Sequence, residues 1–176
     1  MSISFYVKNK KKFLGYEPVL NVETALSLLD KELNTYGTDG IDINDLLLSP
    51  LSKYPCLLVG AEEESARGFE LSYDNKNKVY GVRIFTPSSR EDWLLALEYI
   101  KALAKKMGTE IINERGETYT VDNIEKFDYE PDILYGIKVI TENIKSGEAQ
   151  NYSIFGVNRP VSFDEKMIDE INNSDS

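Results

Sequence analysis

The side chains best suited to chemistry lie in an acidic stretch that contains Asp39, Asp42, Asn44 and Asp45. Calcium and magnesium ions take oxygen ligands, so this stretch could hold a divalent cation. Its spacing does not match the EF-hand loop, in which a glycine follows alternating ligands and a distal glutamate completes the site. We therefore interpret the stretch as a solvated loop, with cation binding as the alternative. The acidic residues 62–64 are interpreted in the same way, as a charged bend.

Cys56 is the only cysteine of the chain, and the chain contains no histidine. A nucleophilic or redox-active thiol needs an electropositive, partly exposed site, usually with a neighbouring base. Pro55 and the apolar residues 57–59 flank Cys56, so we predict a buried and inert side chain. The lack of histidine excludes the usual catalytic triads, histidine zinc sites and imidazole bases.

Motifs for nucleotide binding and for serine hydrolases are also missing from the sequence. It contains no G-x-x-x-x-G-K-[ST] loop, no G-x-G-x-x-G and no G-x-S-x-G. Residues 37–40 predict a helix end and a turn rather than a phosphate cradle. Trp93 falls on the apolar stripe of a predicted helix, so we place it in the core rather than against a ligand. We assign no catalytic, cofactor-binding or metal-binding residue and expect no cofactor.

The chain is strongly acidic, with 30 acidic residues, 20 basic residues and a formal net charge of −10. This balance argues against nucleic acid and membranes as partners, because binding to anionic surfaces needs clustered lysine and arginine. It suits a basic protein partner. No stretch approaches the roughly 20 apolar residues of a membrane span, and the basic run follows the apolar start, unlike in a secretory signal. We therefore expect a cytoplasmic protein.

The beginning of the chain predicts two short strands. Residues 3–7 alternate weakly as a first strand, and the lysine-rich residues 8–12 predict an exposed turn. Residues 13–16 then predict a second strand, which Pro18 ends.

An amphipathic helix is predicted over residues 22–36. Asn21 is a suitable N-cap, apolar side chains recur at helical spacing, and Gly37 stands where a C-cap glycine belongs. The following residues, up to Pro55, predict an irregular connection that has room for one helical turn.

The middle of the chain predicts sheet. Residues 56–59 predict a buried strand. Residues 69–73 and 80–84 alternate between apolar and polar side chains, and the polar residues 74–78 between them indicate a turn. This pattern predicts a hairpin in an antiparallel sheet with one solvated face.

The clearest helix follows this hairpin. Ser88 and Glu91 match a capping box at its start, and Gly108 ends its apolar stripe. Residues 110–112 and 118–121 then predict a second hairpin.

The last part of the chain predicts two helices and a strand. Pro131 opens a helix that ends near Gly147. Residues 152–157 predict a strand, Ser162 predicts the N-cap of a short helix, and residues 171–176 predict a frayed tail.

These elements predict an α+β fold. Hairpins interleaved with amphipathic helices indicate a mainly antiparallel sheet with helices packed on one face, in a single domain over residues 1–176. At an offset of 71 residues, residues 25–41 align without gaps onto residues 96–112 at several apolar and glycine positions. Two pseudo-repeated hairpin–helix–strand units would produce this similarity, and so would shared helix-capping rules. Both explanations stay open.

One segment also indicates a family. The sequence FYVKNKKKFLGYEP at residues 5–18, with the helix after it, resembles a family of small proteins from Gram-positive bacteria that is catalogued only as a domain of unknown function. The resemblance continues through the helix that contains Trp93 to Gly108. It implies a bacterial cytoplasmic protein and no known activity, cofactor or catalytic residue.

Three hypotheses for function follow. The first is a non-enzymatic protein-binding or regulatory module, one version of which is an immunity-type protein that blocks a basic toxin. The second is an enzyme or small-ligand binder that uses carboxylates, tyrosine or a divalent cation. The third is a subunit of a larger assembly.

Overall fold

The computed structural model describes residues 2–62, 64–145, 153–154 and 161–162. The strands are β1 (Ser2–Lys8), β2 (Lys11–Lys12), β3 (Gly15–Tyr16), β4 (Asn34–Tyr36), β5 (Leu57–Gly60), β6 (Phe69–Asp74), β7 (Val79–Phe85), β8 (Ile111–Asn113), β9 (Thr118–Tyr119), β10 (Ser153–Ile154) and β11 (Val161–Ser162). The helices are α1 (Val22–Leu26), α2 (Ile43–Leu48), α3 (Arg90–Met107) and α4 (Glu130–Lys145), with 3₁₀ turns at Leu51–Lys53 and Ile124–Lys126.

Seven of the strands form one sheet in the order β4-β5-β6-β7-β1-β8-β9. All neighbours in this sheet are antiparallel. The ribbons β2–β3 and β10–β11 are separate two-stranded sheets. The predicted α+β class and both predicted hairpins, β6–β7 and β8–β9, are confirmed.

One face of the sheet forms the core, and the other is open to solvent along the central strands. In β1, Ile3, Phe5 and Val7 are fully buried, whereas Tyr6 on the opposite face is 39% exposed. α3 packs against β1 and β7. The prediction of an antiparallel sheet with helical packing on one face is confirmed, because alternation along a strand sends neighbouring side chains to opposite faces.

Capping residues mark both ends of α3. Ser89 is the N-cap: its Oγ accepts from the Asp92 amide at 3.2 Å, and Asp92 Oδ2 accepts from the Ser89 amide at 3.3 Å. The predicted capping box of Ser88 and Glu91 was one residue too early, because Asp92 is the acid that turns inward to the core. Gly108 ends the helix as predicted, with a φ of 66°.

The predicted helix over residues 22–36 is wrong beyond its first five residues. Asn21 caps α1 as predicted, but α1 ends at Leu26. Ser27, the C-cap of α1, donates to the carbonyl of Glu23 through both its amide at 3.1 Å and its Oγ at 2.7 Å. The chain then reaches the sheet, where β4 pairs with β5. Pairing with the sheet therefore outweighs the helical spacing of the apolar residues.

The turn in the first hairpin is also displaced from its predicted place. Lys11 and Lys12 are strand residues that pair with Tyr16 and Gly15. Residues 13–14 form the turn instead of beginning a strand. Gly15 has a φ of 103°, a backbone conformation that glycine adopts without the steric cost of a Cβ atom, so the chain reverses there.

The pseudo-repeat is not confirmed by the described elements. The alignment places β4 onto the last turn of α3, which is an 18-residue helix, whereas α1 has five residues. Gly37 has a φ of 70° but follows β4 rather than a helix, so its predicted role as a helix cap was wrong.

The C-terminal predictions are tested only in part. α4 begins at Glu130, with Pro131 in its first turn, as predicted within one residue. β10 lies inside the predicted strand at residues 152–157, and Ser162 is the last residue of β11. The predicted helix end near Gly147, the helix after Ser162 and the tail lie outside the described residues.

Candidate binding groove

An open groove lies between α1, the irregular segment after it, and α2. Its volume is about 690 Å³, within the range of roughly 300–1,000 Å³ that ligand pockets occupy. Its apolar side chains come from both helices and from the segment between them: Leu26, Leu29, Leu33, Ile43 and Leu47. Asn34 and Thr35 of β4 also line it, so the groove lies beside an edge strand of the sheet.

Hydrogen bonds at the helix ends hold the two helical walls of the groove. Asp42 is the N-cap of α2, and its Oδ1 accepts from the amides of Asn44 at 2.9 Å and Asp45 at 3.2 Å. The Val22 amide at the start of α1 donates to the carbonyl of Ser49, directly after α2, at 3.0 Å. The groove is therefore held by bonds at the helix ends as well as by apolar packing.

Tyr99 connects the α1 wall to the core. Its hydroxyl donates to the carbonyl of Ala25 at 2.9 Å, and both residues are fully buried. Burial raises the pKa of Tyr99, so the phenol stays neutral and remains a donor. This bond joins α1 to α3 across the core.

The rim of the groove is acidic. Glu23, Asp30 and Glu32 line it and are exposed. Lys31 also lines the groove, but its Nζ lies 3.1 Å from carboxylates of both Glu64 and Glu98. Partial burial lowers the pKa of Lys31, and the hydrogen bonds to the two glutamates outweigh this and raise it. The charge of Lys31 is therefore compensated, and the rim remains negative.

The side chains considered as cation ligands do not converge on one point. Asp39, Asp42, Asn44 and Asp45 are all exposed, and Asp42 caps α2. The part of the chain that the structure describes contains no group of three or more histidine, cysteine, aspartate or glutamate side chains that could hold a metal ion.

The comparison with protein families decides what kind of chain this is. Residues 2–176 match the family model described as Domain of unknown function (DUF4299). The chain belongs to the DUF4299 family. The predicted resemblance to a family catalogued only as a domain of unknown function is thereby confirmed. No match was found among the curated proteins or the solved structures. In this DUF4299 chain, none of the helices within the described residues is long and apolar enough to span a membrane.

Cys56 of this DUF4299 chain is exposed, so the prediction of a buried thiol was wrong. β5 begins one residue later, and Leu57 and Val59 occupy its buried face. Desolvation and the nearby carboxylate of Glu70 raise the pKa of Cys56, and Arg83 opposes them. The thiol is therefore protonated at neutral pH and is not an activated nucleophile.

Trp93 lies in the core, as predicted. It is fully buried, and its ring stacks on those of Tyr129 at 5.6 Å and Phe127 at 6.1 Å between centroids. These stacking contacts join the first turns of α3 to the segment before α4.

Asp92 is a buried carboxylate that the sequence analysis missed. It accepts from the amides of Ala66 at 3.1 Å, Arg67 at 2.9 Å and Gly68 at 2.8 Å, and from Ser89 Oγ at 2.9 Å. A buried charge needs such donors to offset its desolvation. The bonds hold the loop between β5 and β6 against α3, so Asp92 has a structural role. Its only signal in the sequence is a serine three residues earlier.

Proposed function

We propose that this chain is a bacterial, cytoplasmic, non-enzymatic protein-binding module that takes a basic segment of its partner into the groove. The observation that carries the proposal is an apolar groove with an acidic rim. Leu29, Ile43 and Leu47 offer surface for apolar side chains of the partner, and Ile43 is 57% exposed without one. Burial of such surface drives most protein association.

Charge supports a basic partner in particular. Residues 23–45 carry six acidic residues and one basic residue, Lys31. Opposite charge across an interface raises the association rate and rejects acidic competitors. A segment with lysine or arginine on either side of apolar residues would satisfy both the groove and its rim.

An immunity-type role is one version of this proposal. A basic toxin whose functional surface carries such a segment would be blocked when that segment lies in the groove. Its support is the same charge complementarity, so the groove must be tested first.

Selection from a random peptide library on the immobilised chain tests the proposal. We expect the selected peptides to be enriched in lysine or arginine next to leucine, isoleucine or phenylalanine, and to lose binding to Ile43→Ser and Glu32→Lys. Leu94→Ser and Asp122→Lys are matched controls, because both residues are exposed and lie outside the lining of the groove. Peptides without basic residues, or equal binding to all four variants, would contradict the proposal.

A further inference from the structure

One end of the sheet collects basic side chains on an otherwise acidic protein. We call this end the basic pole and define it by eight of the chain's 20 basic residues: Lys8, Lys10, Lys11, Lys12, Lys76, Lys78, Lys105 and Lys106. Lys78 is partly exposed and the other seven are exposed.

Strand register explains why these lysines meet. Lys8 at the end of β1 pairs with Val79 at the start of β7, so the turn between β6 and β7 lies at this end. The amide of Asn9 donates to the carbonyl of Lys78 at 2.8 Å. Thr109, which follows α3, donates through Oγ1 to the carbonyl of Lys8 at 3.1 Å, so the last turn of α3 lies at the same end.

Few acids offset these lysines. Four acids, Glu17, Asp74, Glu110 and Asp122, belong to the segments at this end, against eight lysines. Glu17 forms an ion pair with Lys12 at 2.7 Å. Asp74 accepts from the amides and side chain of its own turn. The basic pole is therefore positive although the chain as a whole is negative. The net charge, from which we expected no membrane partner, does not describe this end of the molecule.

Two large apolar side chains project from the basic pole. Phe13 is 99% exposed and Leu14 is 89% exposed, and together they form the turn between β2 and β3. Scattered exposed apolar residues are ordinary, but two adjacent ones at the tip of a hairpin form a continuous apolar surface.

The base of this hairpin is held by the rest of the fold. Asn9 is buried, and its Nδ2 donates to the carbonyl of Glu17 at 2.8 Å and to the hydroxyl of Tyr73 at 3.1 Å. The amide of Glu17 also donates to the carbonyl of Lys10 at 2.8 Å. The apolar tip is therefore presented outward by a fixed stem.

We propose that the basic pole docks on an anionic lipid surface, with Phe13 and Leu14 inserted among the lipids and the lysines against headgroup phosphates. Stable docking of a peripheral protein usually combines an apolar contribution with a basic one, and this tip supplies both. The acidic remainder of the chain would be repelled by the same surface, which orients the basic pole towards it.

Lipid fits this surface better than nucleic acid or a protein. The tip is convex, so a fluid interface accepts it without a matching pocket, whereas a protein partner would need one. The basic side chains are all lysines, which contact phosphate as point charges, while base readout in nucleic acid relies largely on arginine. An exposed Phe–Leu turn also adds nothing to contacts with a phosphate backbone.

Sedimentation with vesicles tests the proposal on the full chain. We expect binding to vesicles of equal parts phosphatidylglycerol and phosphatidylcholine, weakening with added salt, and much less binding to phosphatidylcholine alone. Phe13→Ser combined with Leu14→Ser, and separately Lys10→Glu combined with Lys11→Glu, should each weaken binding at least about tenfold. For the lysine variant, this estimate follows because each lysine contributes about fivefold to binding.

Matched controls come from the opposite end of the molecule. Leu94→Ser changes an apolar residue that is 55% exposed near the start of α3, and Lys138→Glu changes an exposed lysine of α4. Both should bind like the parent chain. A separate variant, Leu14→Trp, measures insertion of the tip into the lipid. The fluorescence emission of its added indole should shift to the blue with anionic vesicles only.

Several outcomes would overturn the proposal. These are no binding to the anionic vesicles, equal binding to neutral ones, or a double Phe13 and Leu14 variant that binds as well as Leu94→Ser. Full competition by a short DNA duplex, with no shift in indole emission, would assign the basic pole to nucleic acid instead. None of these outcomes bears on the groove, which is formed by α1 and α2.

Discussion

The backbone amide of Gly68 donates a 2.8 Å hydrogen bond to the buried carboxylate of Asp92. The bond joins the loop between β5 and β6 to the first turn of α3. Gly68 has a φ of 69°, and a Cβ atom there would lie 2.2 Å from the carbonyl oxygen of Val59. A carboxylate and a glycine that are 24 residues apart therefore specify one loop conformation together.

Asp92→Asn should destabilise the fold by about 2–4 kcal/mol, because an amide replaces one acceptor oxygen with a donor that faces backbone N–H groups. Urea unfolding measures the change. Asp122→Asn is the matched control at an exposed acid and should stay within about 0.5 kcal/mol of the parent chain. A similarly small effect of Asp92→Asn would mean that the buried hydrogen bonds of Asp92 do not contribute to the free energy of unfolding.

Gly68→Ala should destabilise more than Gly37→Ala, although both glycines have nearly the same φ, 69° and 70°. The Gly37 site has open space for a Cβ atom, so Gly37→Ala costs only the left-handed backbone, about 1–2 kcal/mol. Gly68→Ala adds the clash with Val59, about a further 1–3 kcal/mol. Equal free energies of unfolding for the two variants would refute the close contact.

Tyr99→Phe should lower the free energy of unfolding by about 1–2 kcal/mol, because it leaves the buried carbonyl of Ala25 without a partner. Tyr135→Phe serves as the control, since Tyr135 is 57% exposed. Urea unfolding again gives the values. If the two variants match, the bond between α3 and the groove wall does not stabilise the fold.

Asp74→Ala should lower the melting temperature at neutral pH, and the difference should shrink in acid. Hydrogen bonds from Asn77, through its amide and side chain, and from the amide of Lys76 lower the pKa of Asp74 below its ordinary value of 3.8. A lowered folded-state pKa gives stability that is present above 3.8 and is lost as the pH falls through the folded-state value. Melting temperatures are measured against pH, with Asp122→Ala for comparison. A difference in melting temperature between Asp74→Ala and the parent chain that stays constant with pH would contradict this explanation.

Local signals in the sequence are enough for the parts of the fold where local and tertiary preferences agree. The apolar stripe of α3 and Gly108 at its end are examples, and so is the alternation of β6 and β7. Trp93 could be placed in the core because its position on that stripe matches the buried side of the helix.

Tertiary contacts decide the elements that the sequence predicted wrongly. Residues 34–36 follow helical spacing, but they pair with β5 because the sheet edge offers them hydrogen bonds. Cys56 adjoins an apolar run, which predicts a place in the core. β5 buries one face only, so the alternation beginning at Leu57 leaves the thiol exposed.

The groove could not be derived from the sequence for the same reason. It exists because α1 stops at Leu26 and the chain turns back to β4, beside α2. From the sequence, its acidic residues predict only a solvated loop, because no local sequence pattern places them beside Leu29 and Ile43. The basic run at residues 8–12 was visible too, but the exposed turn at residues 13–14 depends on how β2 pairs with β3.

The most direct measurement is a fluorescence titration of the chain with a labelled peptide of alternating lysine and leucine. A peptide of alternating glutamate and leucine is the charge control. We predict that the basic peptide binds, that the acidic one does not, and that Ile43→Ser and Glu32→Lys each weaken binding about tenfold, or about 1.4 kcal/mol. Asp122→Lys should leave the affinity unchanged. Equal weakening by Glu32→Lys and Asp122→Lys would mean that only net charge attracts the peptide, and it would contradict a binding site in the groove.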